Sequence, residues 1–160
     1  AEYFPIQNFG ISEALFVGRY QMEGDIYRSL VKFDLSSIPQ NAKITRATLK
    51  LSVYRNKVKS GKADISIHHL GEDWDECDVT WENQPRSATA ADVVKTISAS
   101  DTSDFYVDIT DLAEDWHNGY IPNYGIIIKG DETSNRLIGF RNRKYPDSNL
   151  QPCLSIEINN

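Results

Sequence analysis

Cysteine is scarce: Cys77 and Cys153 are the only two in 160 residues, which is too few for a disulfide framework. Neither has a CxxC partner or a histidine at ligand spacing, so metal binding through cysteine has no support. Cys153 lies in the apolar run "PCLSIEI", where a reduced thiol packs as a small hydrophobe, and Cys77 lies in an acidic loop. Their state (bridged, free or intermolecular) stays open at this point. No run nears the roughly 20 apolar residues that cross a bilayer, so no membrane insertion is expected. A signal-peptide pattern is also missing. The start at Ala1-Glu2-Tyr3, almost directly in strand-like sequence, suits a processed secreted product or a trimmed domain. The chain has no GxSxG, HExxH, Walker loop or Cys–His signature, and no enzyme activity is expected. The adjacent His68 and His69 face opposite ways on a strand, which prevents a simple two-histidine site. Without an internal period, no propeller or solenoid is expected.

Short strands are plentiful. Alternating or apolar runs fall at 2–6, 14–18, 26–35, 44–54, 63–70, 93–97, 105–109, 124–129, 137–143 and 152–158. Turn residues intervene, at Asn8-Phe9-Gly10, Glu23-Gly24-Asp25, Ser60-Gly61-Lys62, Gly130-Asp131 and Pro146-Asp147-Ser148-Asn149. Such spacing without βαβ alternation predicts a single all-β sandwich or barrel over 1–160. One helix interrupts it. "TDLAEDWHNG", 110–119, has Asp111 and Glu114 at capping-box spacing, Leu112 and Trp116 one turn apart, and Gly119 as the stop. Trp116 is expected to plug the core. Trp74 and Trp81 flank the turn-rich loop "WDECDVTWENQP" and are expected to close it over the core, with Thr80 and Asn83 satisfying local backbone.

Charge is unevenly spread. Lys and Arg total 17 against 23 Asp and Glu, a net −6, which argues against a nucleic-acid partner. Six acids and no base occupy 71–82, and the same is true of 101–115. From Leu35 to Ala63 there is no acid, yet the stretch holds Lys43, Arg46, Lys50, Arg55, Lys57, Lys59 and Lys62. A second basic group, Arg136, Arg141, Arg143 and Lys144, falls in 136–144.

Five ordered segments carry a resemblance: "RSLVKFDLSSIPQNAKITRATLKLSV" (28–53), "W…DVTWENQP" (74–85), "VDITDLAEDWHNG" (107–119), "NYGIIIKG" (123–130) and "QPCLSIEI" (151–158). In this order they resemble DNRLRE domains, which are similar to carbohydrate-binding module family 96 and to the domain accompanying archaeal disaggregatase. The resemblance implies a jelly-roll β-sandwich of two antiparallel sheets with one short helix. It also implies a secreted or cell-surface module appended to a parent enzyme or surface protein, acidic polysaccharide as partner, and calcium as a structural ion. Oxygen ligands are available near Asn8, Asp25, Asp131 and Asp147, but no loop has EF-hand spacing. The chain departs from the family's pattern at Arg141-Asn142-Arg143-Lys144, which lacks the family's acid, and at Cys77.

Strand phasing names a ligand site. In 26–35 the residues Tyr27, Ser29, Val31, Phe33 and Leu35 share one face, which leaves Arg28 and Lys32 on the other beside Leu30. In 44–54, Arg46, Lys50 and Tyr54 face away from the core, and in 137–143 so do Arg141 and Arg143. Same-face neighbours about 7 Å apart can meet carboxylates along a polyuronate, with arginine forks, lysine point charges and a stacking tyrosine. The expected function is therefore a non-catalytic module binding an acidic glycan through these seven residues. Two alternatives stand beside it. The basic residues can discourage edge pairing or pair with the chain's own acidic stretches, and the module can be a structural or adhesion element of a cell or spore surface.

Overall fold

The computed structural model describes residues 1–159. Its elements run β1 (Ala14–Arg19), β2 (Ile26–Val31), β3 (Lys43–Asn56), β4 (Lys62–His69), β5 (Val93–Ser98), β6 (Asp104–Asp108), α1 (Thr110–His117), β7 (Ile126–Lys129), β8 (Ile138–Arg141) and β9 (Cys153–Asn159), with a short 3₁₀ turn at Ser148–Leu150. Nine of the ten expected strands are present. The tenth, at 2–6, is a pair of turns closed by Phe4 N–H to Ala1 O and Gln7 N–H to Phe4 O. Pro5 lies inside it and has no N–H to give a ladder.

The helix begins without the expected capping box. Ile109 is its N-cap and has no side-chain acceptor. Asp108 instead accepts from the N–H and hydroxyl of Thr110, and Thr110 Oγ1 accepts from Ala47 N–H at 3.0 Å, tying the helix start to β3. At the other end Gly119 N–H reaches Trp116 O and Tyr120 N–H reaches Asp115 O, the Schellman pattern expected of a glycine stop. Trp116 is buried at 7% exposure and joins the core, as the sequence predicts.

Strand β3 is the spine. One edge pairs with β6; the other pairs first with β9 (Lys43–Lys50) and then with β8 (Val53–Asn56). The ladder shifts twice, between Ile44 and Arg46 and between Val53 and Arg55. Each shift inserts one extra residue, and a bulge of this kind re-aims the side chains beside it. The first lets Ile44 share the core with Ala47, Leu49, Leu51 and Val53, all at most 8% exposed. The second leaves Tyr54 without a partner across the ladder.

All pairings are antiparallel, in the order β5-β4-β7-β2-β1-β8-β3-β6 with β9 beside β3. Where two separate sheets were expected, the ladder is continuous. Strand β1 pairs with β8 through Ala14–Val17 and with β2 through Gly18–Arg19. The sheet curls until its ends approach, and Lys95 Nζ of β5 donates to Tyr106 O of β6. Inside the curl lie Leu15, Val17, Ile65, Ile67, Ile97, Phe105, Ile126, Ile128, Ile138 and Phe140. Part of the outer face is covered as well: Ile127 and His68 are buried although Ile126 and Ile128 supply the inner face. The cover is the 70–92 loop, from which Ala88 O and Ala90 O meet His68 Nδ1 and Asp92 holds His69.

Leu49 is fully buried, and truncation to Ala deletes atoms its neighbours cannot replace. Leu49→Ala is expected to lower unfolding free energy by about 3 kcal/mol. Tyr120→Ala, at a side chain 79% exposed, should stay within about 0.5 kcal/mol. Urea titration of the three proteins measures both.

Candidate functional site

A cleft of about 680 Å³ lies over β1 and β2. Its floor is the 14–16 and 27–33 backbone with Phe16, Tyr27 and Phe33; its walls are Phe9 of the N-terminal segment, the 74–84 loop and Arg143. Trp74 and Trp81 both face it and are only half-buried, so they close the loop over the sheet while leaving aromatic surface in the cleft.

The loop is pinned by neutral hydrogen bonds. Asn8 Nδ2 donates to Glu76 O at 2.8 Å and to Val79 O at 2.7 Å, and Trp74 Nε1 donates to Tyr124 O at 2.8 Å. Gly10 allows this strap to lie close, because a Cβ there would stand 2.2 Å from Glu76 O. Within the loop Asn83 Oδ1 accepts from Thr80 N–H and hydroxyl, the local satisfaction expected of these residues.

Three of the seven predicted side chains, Arg28, Lys32 and Arg143, line this cleft, and each meets a carboxylate of the chain itself. Arg28 forks onto Glu132 at 2.7 and 2.9 Å, donates to Gln84 Oε1 at 3.0 Å, and stacks 4.6 Å from the Trp81 ring centroid. Lys32 Nζ lies 2.9 Å from Asp73 Oδ1, a hydrogen bond that is the main cause of the lowered Asp73 pKa. Arg143 forks onto Glu76, which raises its pKa further, and Lys144 Nζ stands 4.0 Å from the same carboxylate. The acidic stretch 71–82 therefore neutralises part of the basic face.

Tyr54 and Arg141 come together beside the cleft. The Arg141 guanidinium sits 4.2 Å from the Tyr54 ring centroid and 4.1 Å from that of Tyr145. Phe16 joins this group to the cleft floor, with centroids 6.0 Å from Tyr54 and 5.8 Å from Tyr27. Gly139 makes the junction fit, since a Cβ there would stand 2.9 Å from Tyr54 Cε1 and 3.0 Å from Phe16 Cε1. Arg55 covers the next stretch, 4.9 Å from Tyr20 and 6.0 Å from Phe16. Burial pushes the Tyr54 phenol up in pKa, against the pull of Arg55 and Arg141. The outcome is a run of aromatic faces and guanidinium planes from Trp81 to Tyr145.

Arg46 and Lys50 lie apart from that run. Lys50 Nζ donates to Asn149 O at 2.6 Å. Arg46 stands opposite Glu157 of β9 and helps lower the Asp108 pKa, behind the hydrogen bonds from Thr110. Eight residues at about 3.4 Å each separate it from Tyr54 by ~27 Å.

The model of carbohydrate-binding module family 96 matches residues 3–157, nearly the whole chain. The chain belongs to that family. Among curated proteins none matches it. A family 96 module is a carbohydrate-binding unit and, in general, not a catalytic one, and the histidines of this member have structural partners. His68 bonds to Ala88 O and Ser66 Oγ, His69 to Asp92, and His117 Nε2 donates to Ala42 O.

In this family 96 module the loops near Asn8, Asp25, Asp131 and Asp147 spend their oxygens locally, on Gly10 N–H, Gln21 N–H, Thr133 with Ser134, and Asn149 N–H. Among the described residues no three His, Cys, Asp or Glu side chains are clustered. Cys77 and Cys153 are both exposed and unbridged.

Strand phasing missed Phe16, Arg55 and Tyr145. Phe16 could have been found, since Leu15 and Val17 point inward and leave an aromatic outside on β1. Arg55 and Tyr145 follow a bulge and a turn, where alternation carries no signal.

Burial alone would raise the Asp131 pKa, but hydrogen bonds from the hydroxyls and N–H groups of Ser134 and Thr133 outweigh it and hold it at about 2. A depressed carboxylate pKa adds stability that is present above the unfolded value of 3.8 and lost as pH falls toward 2. Asp131 is therefore expected to contribute roughly 1 to 2 kcal/mol at neutral pH. Melting temperature followed from pH 6 to pH 2 should fall more steeply in the wild type than in Asp131→Asn between pH 4 and 2.

Proposed function

We propose that this family 96 module is an extracellular, non-catalytic unit that binds an acidic polysaccharide and holds a covalently attached enzyme or surface protein to it. The curled sheet is taken as the jelly-roll form. The observation that carries the reading is the joining of the aromatic-walled cleft, with Arg28, Lys32 and Arg143 on its lining, to the Tyr54–Arg141 stack through Phe16. Sugar rings pack on aromatic faces, and arginine forks meet carboxylate or sulfate bidentately. A glycan chain laid from Trp81 to Tyr145 would meet both chemistries in turn. Arg46 and Lys50 belong to the reading as a distal extension along β3.

A second reading, as a structural or adhesion module, is favoured by exposed apolar side chains on the N-terminal segment: Tyr3, Phe4, Ile6, Phe9 and Ile11 are each at least 40% exposed. Grouped exposed hydrophobics commonly mark contact surfaces.

Affinity electrophoresis against neutral and acidic polysaccharides tests the first reading. Retardation is expected in uronate-rich or sulfated gels, weakening with salt. Removing one contributing cation, Lys32→Ala or Arg141→Ala, should cost on the order of tenfold in affinity, ~1.4 kcal/mol. Charge reversal at both Arg46 and Lys50 should cost less than either. Retardation by neutral glycans alone would move the ligand onto Trp74 and Trp81. No retardation, with concentration-dependent oligomers in sedimentation, would make the adhesion reading the better one.

A further inference from the structure

We propose that Asp73 and Glu76 are selectivity residues of the cleft: they hold Lys32 and Arg143 in ion pairs that a polyanionic glycan takes over and that a neutral glycan or a single uronate leaves in place. This rests on the reading of the cleft as a glycan site.

The two carboxylates stand where they do independently of the cations. Asn8 grips the Glu76 and Val79 carbonyls, Trp74 Nε1 holds Tyr124 O, and Asp75 Oδ1 accepts Cys77 N–H at 2.7 Å. The loop frame would thus stay in place if a ligand drew the cations away.

The cleft cations differ in how freely they can change partners. Side chains of Lys32 and Asp73 are 42% and 65% exposed, and that of Arg143 is 60% exposed beside a Glu76 at 27%. Exposed ion pairs of this kind contribute little to stability, so exchange of one anion for another costs little. Arg28 and Glu132 are only 23% and 25% exposed, and Arg28 also bonds Gln84 and stacks on Trp81. Lys32 and Arg143 are therefore the exchangeable pair, with Arg28 as fixed framework.

Exchange favours a chain of anions over one anion. Each tethered carboxylate competes at the high effective concentration of an intramolecular partner. A free uronate meets that competition once per binding event. A polyuronate engaged at Lys32 presents its next anions to Arg143 intramolecularly, and so competes on equal terms. A neutral glycan offers nothing in exchange.

Affinity electrophoresis of the whole chain in polygalacturonate gels, with free glucuronate as competitor and a neutral glucan gel beside it, tests this. The Asp73→Asn/Glu76→Gln variant is expected to bind polygalacturonate about fivefold more tightly, the scale of releasing two exposed pairs, and to become sensitive to glucuronate. Its glucan behaviour should match the wild type. Asp64→Asn/Glu23→Gln makes the same change in net charge at exposed positions that do not line the cleft, and it should leave affinity near the wild-type value. Melting temperatures confirm that each variant is folded. Equal affinity of wild type and Asp73→Asn/Glu76→Gln, or an equal gain in the Asp64/Glu23 control, would overturn the inference while leaving the glycan site standing. Free passage of the wild type and all variants through polygalacturonate would overturn the glycan reading itself and this inference with it.

Discussion

Pairing along β3 is the constraint on which the remaining structure depends. Three strands bond to it, and its inner face supplies Ile44, Ala47, Leu49, Leu51 and Val53 to the core. Strict alternation over fourteen residues would put Ile44 and Ala47 on opposite faces, because they are an odd number apart. One extra residue at Thr45 removes that conflict. The other, Tyr54, falls where β9 has ended and β8 begins, so the strand changes partner at the same place that it frees an aromatic side chain from the ladder. Packing and function thus draw on one kind of device. The bulge at Thr45 keeps the core in phase, and the second, at Tyr54, brings that side chain to Arg141 and Phe16.

Charge in this molecule is organised by pairing rather than by a broad field. Three basic residues outside the acid-free stretch 35–63 are opposed in space: Asp73 and Glu76 meet Lys32 and Arg143, and Glu132 meets Arg28. The acidic stretch 101–115 does different work. Asp101 accepts Ser98 N–H, Asp104 accepts the Ser52 hydroxyl, and Asp108 accepts Thr110. These are turn and terminus contacts, which explains why that stretch lies on the sheet edge and helix start and leaves the basic face uncovered there.

What could be read from sequence follows the periodicity of each element. Strands β1 to β9 announce themselves by alternation or apolar runs, and Gly119 marks the helix stop by its place after Trp116 and His117. The segment 2–6 has the composition of a strand, yet Pro5 and the bonds from Glu2 N–H to Ile26 O and Glu82 N–H to Pro5 O make it a strap. Composition alone does not distinguish the two. Phasing correctly placed Arg28, Lys32, Arg141 and Tyr54 outside the core, but it could not show how these faces lie relative to one another. That depends on strand order, which joins β2, β1, β8 and β3 although they are far apart in the chain. The cleft was illegible for the same reason: Phe9, Phe16 and Trp81 come from separate segments that only the topology brings together.

The loop 70–92 couples stability to the shape of the cleft. Its inner side buries Leu70, Pro85 and, beneath it, Ile127 and His68. Its outer part presents Trp74 and Trp81 to the cleft. A loop that served recognition alone could remain mobile until a ligand ordered it, and ordering would then subtract from affinity. Here core burial and the Asn8 and Trp74 hydrogen bonds have already fixed the backbone, so the aromatic walls stand ready before any ligand arrives. The consequence runs in both directions: changes under the loop at Ile127 or His68 alter the cleft without touching it, and a ligand across the cleft stabilises the fold by binding its native form alone.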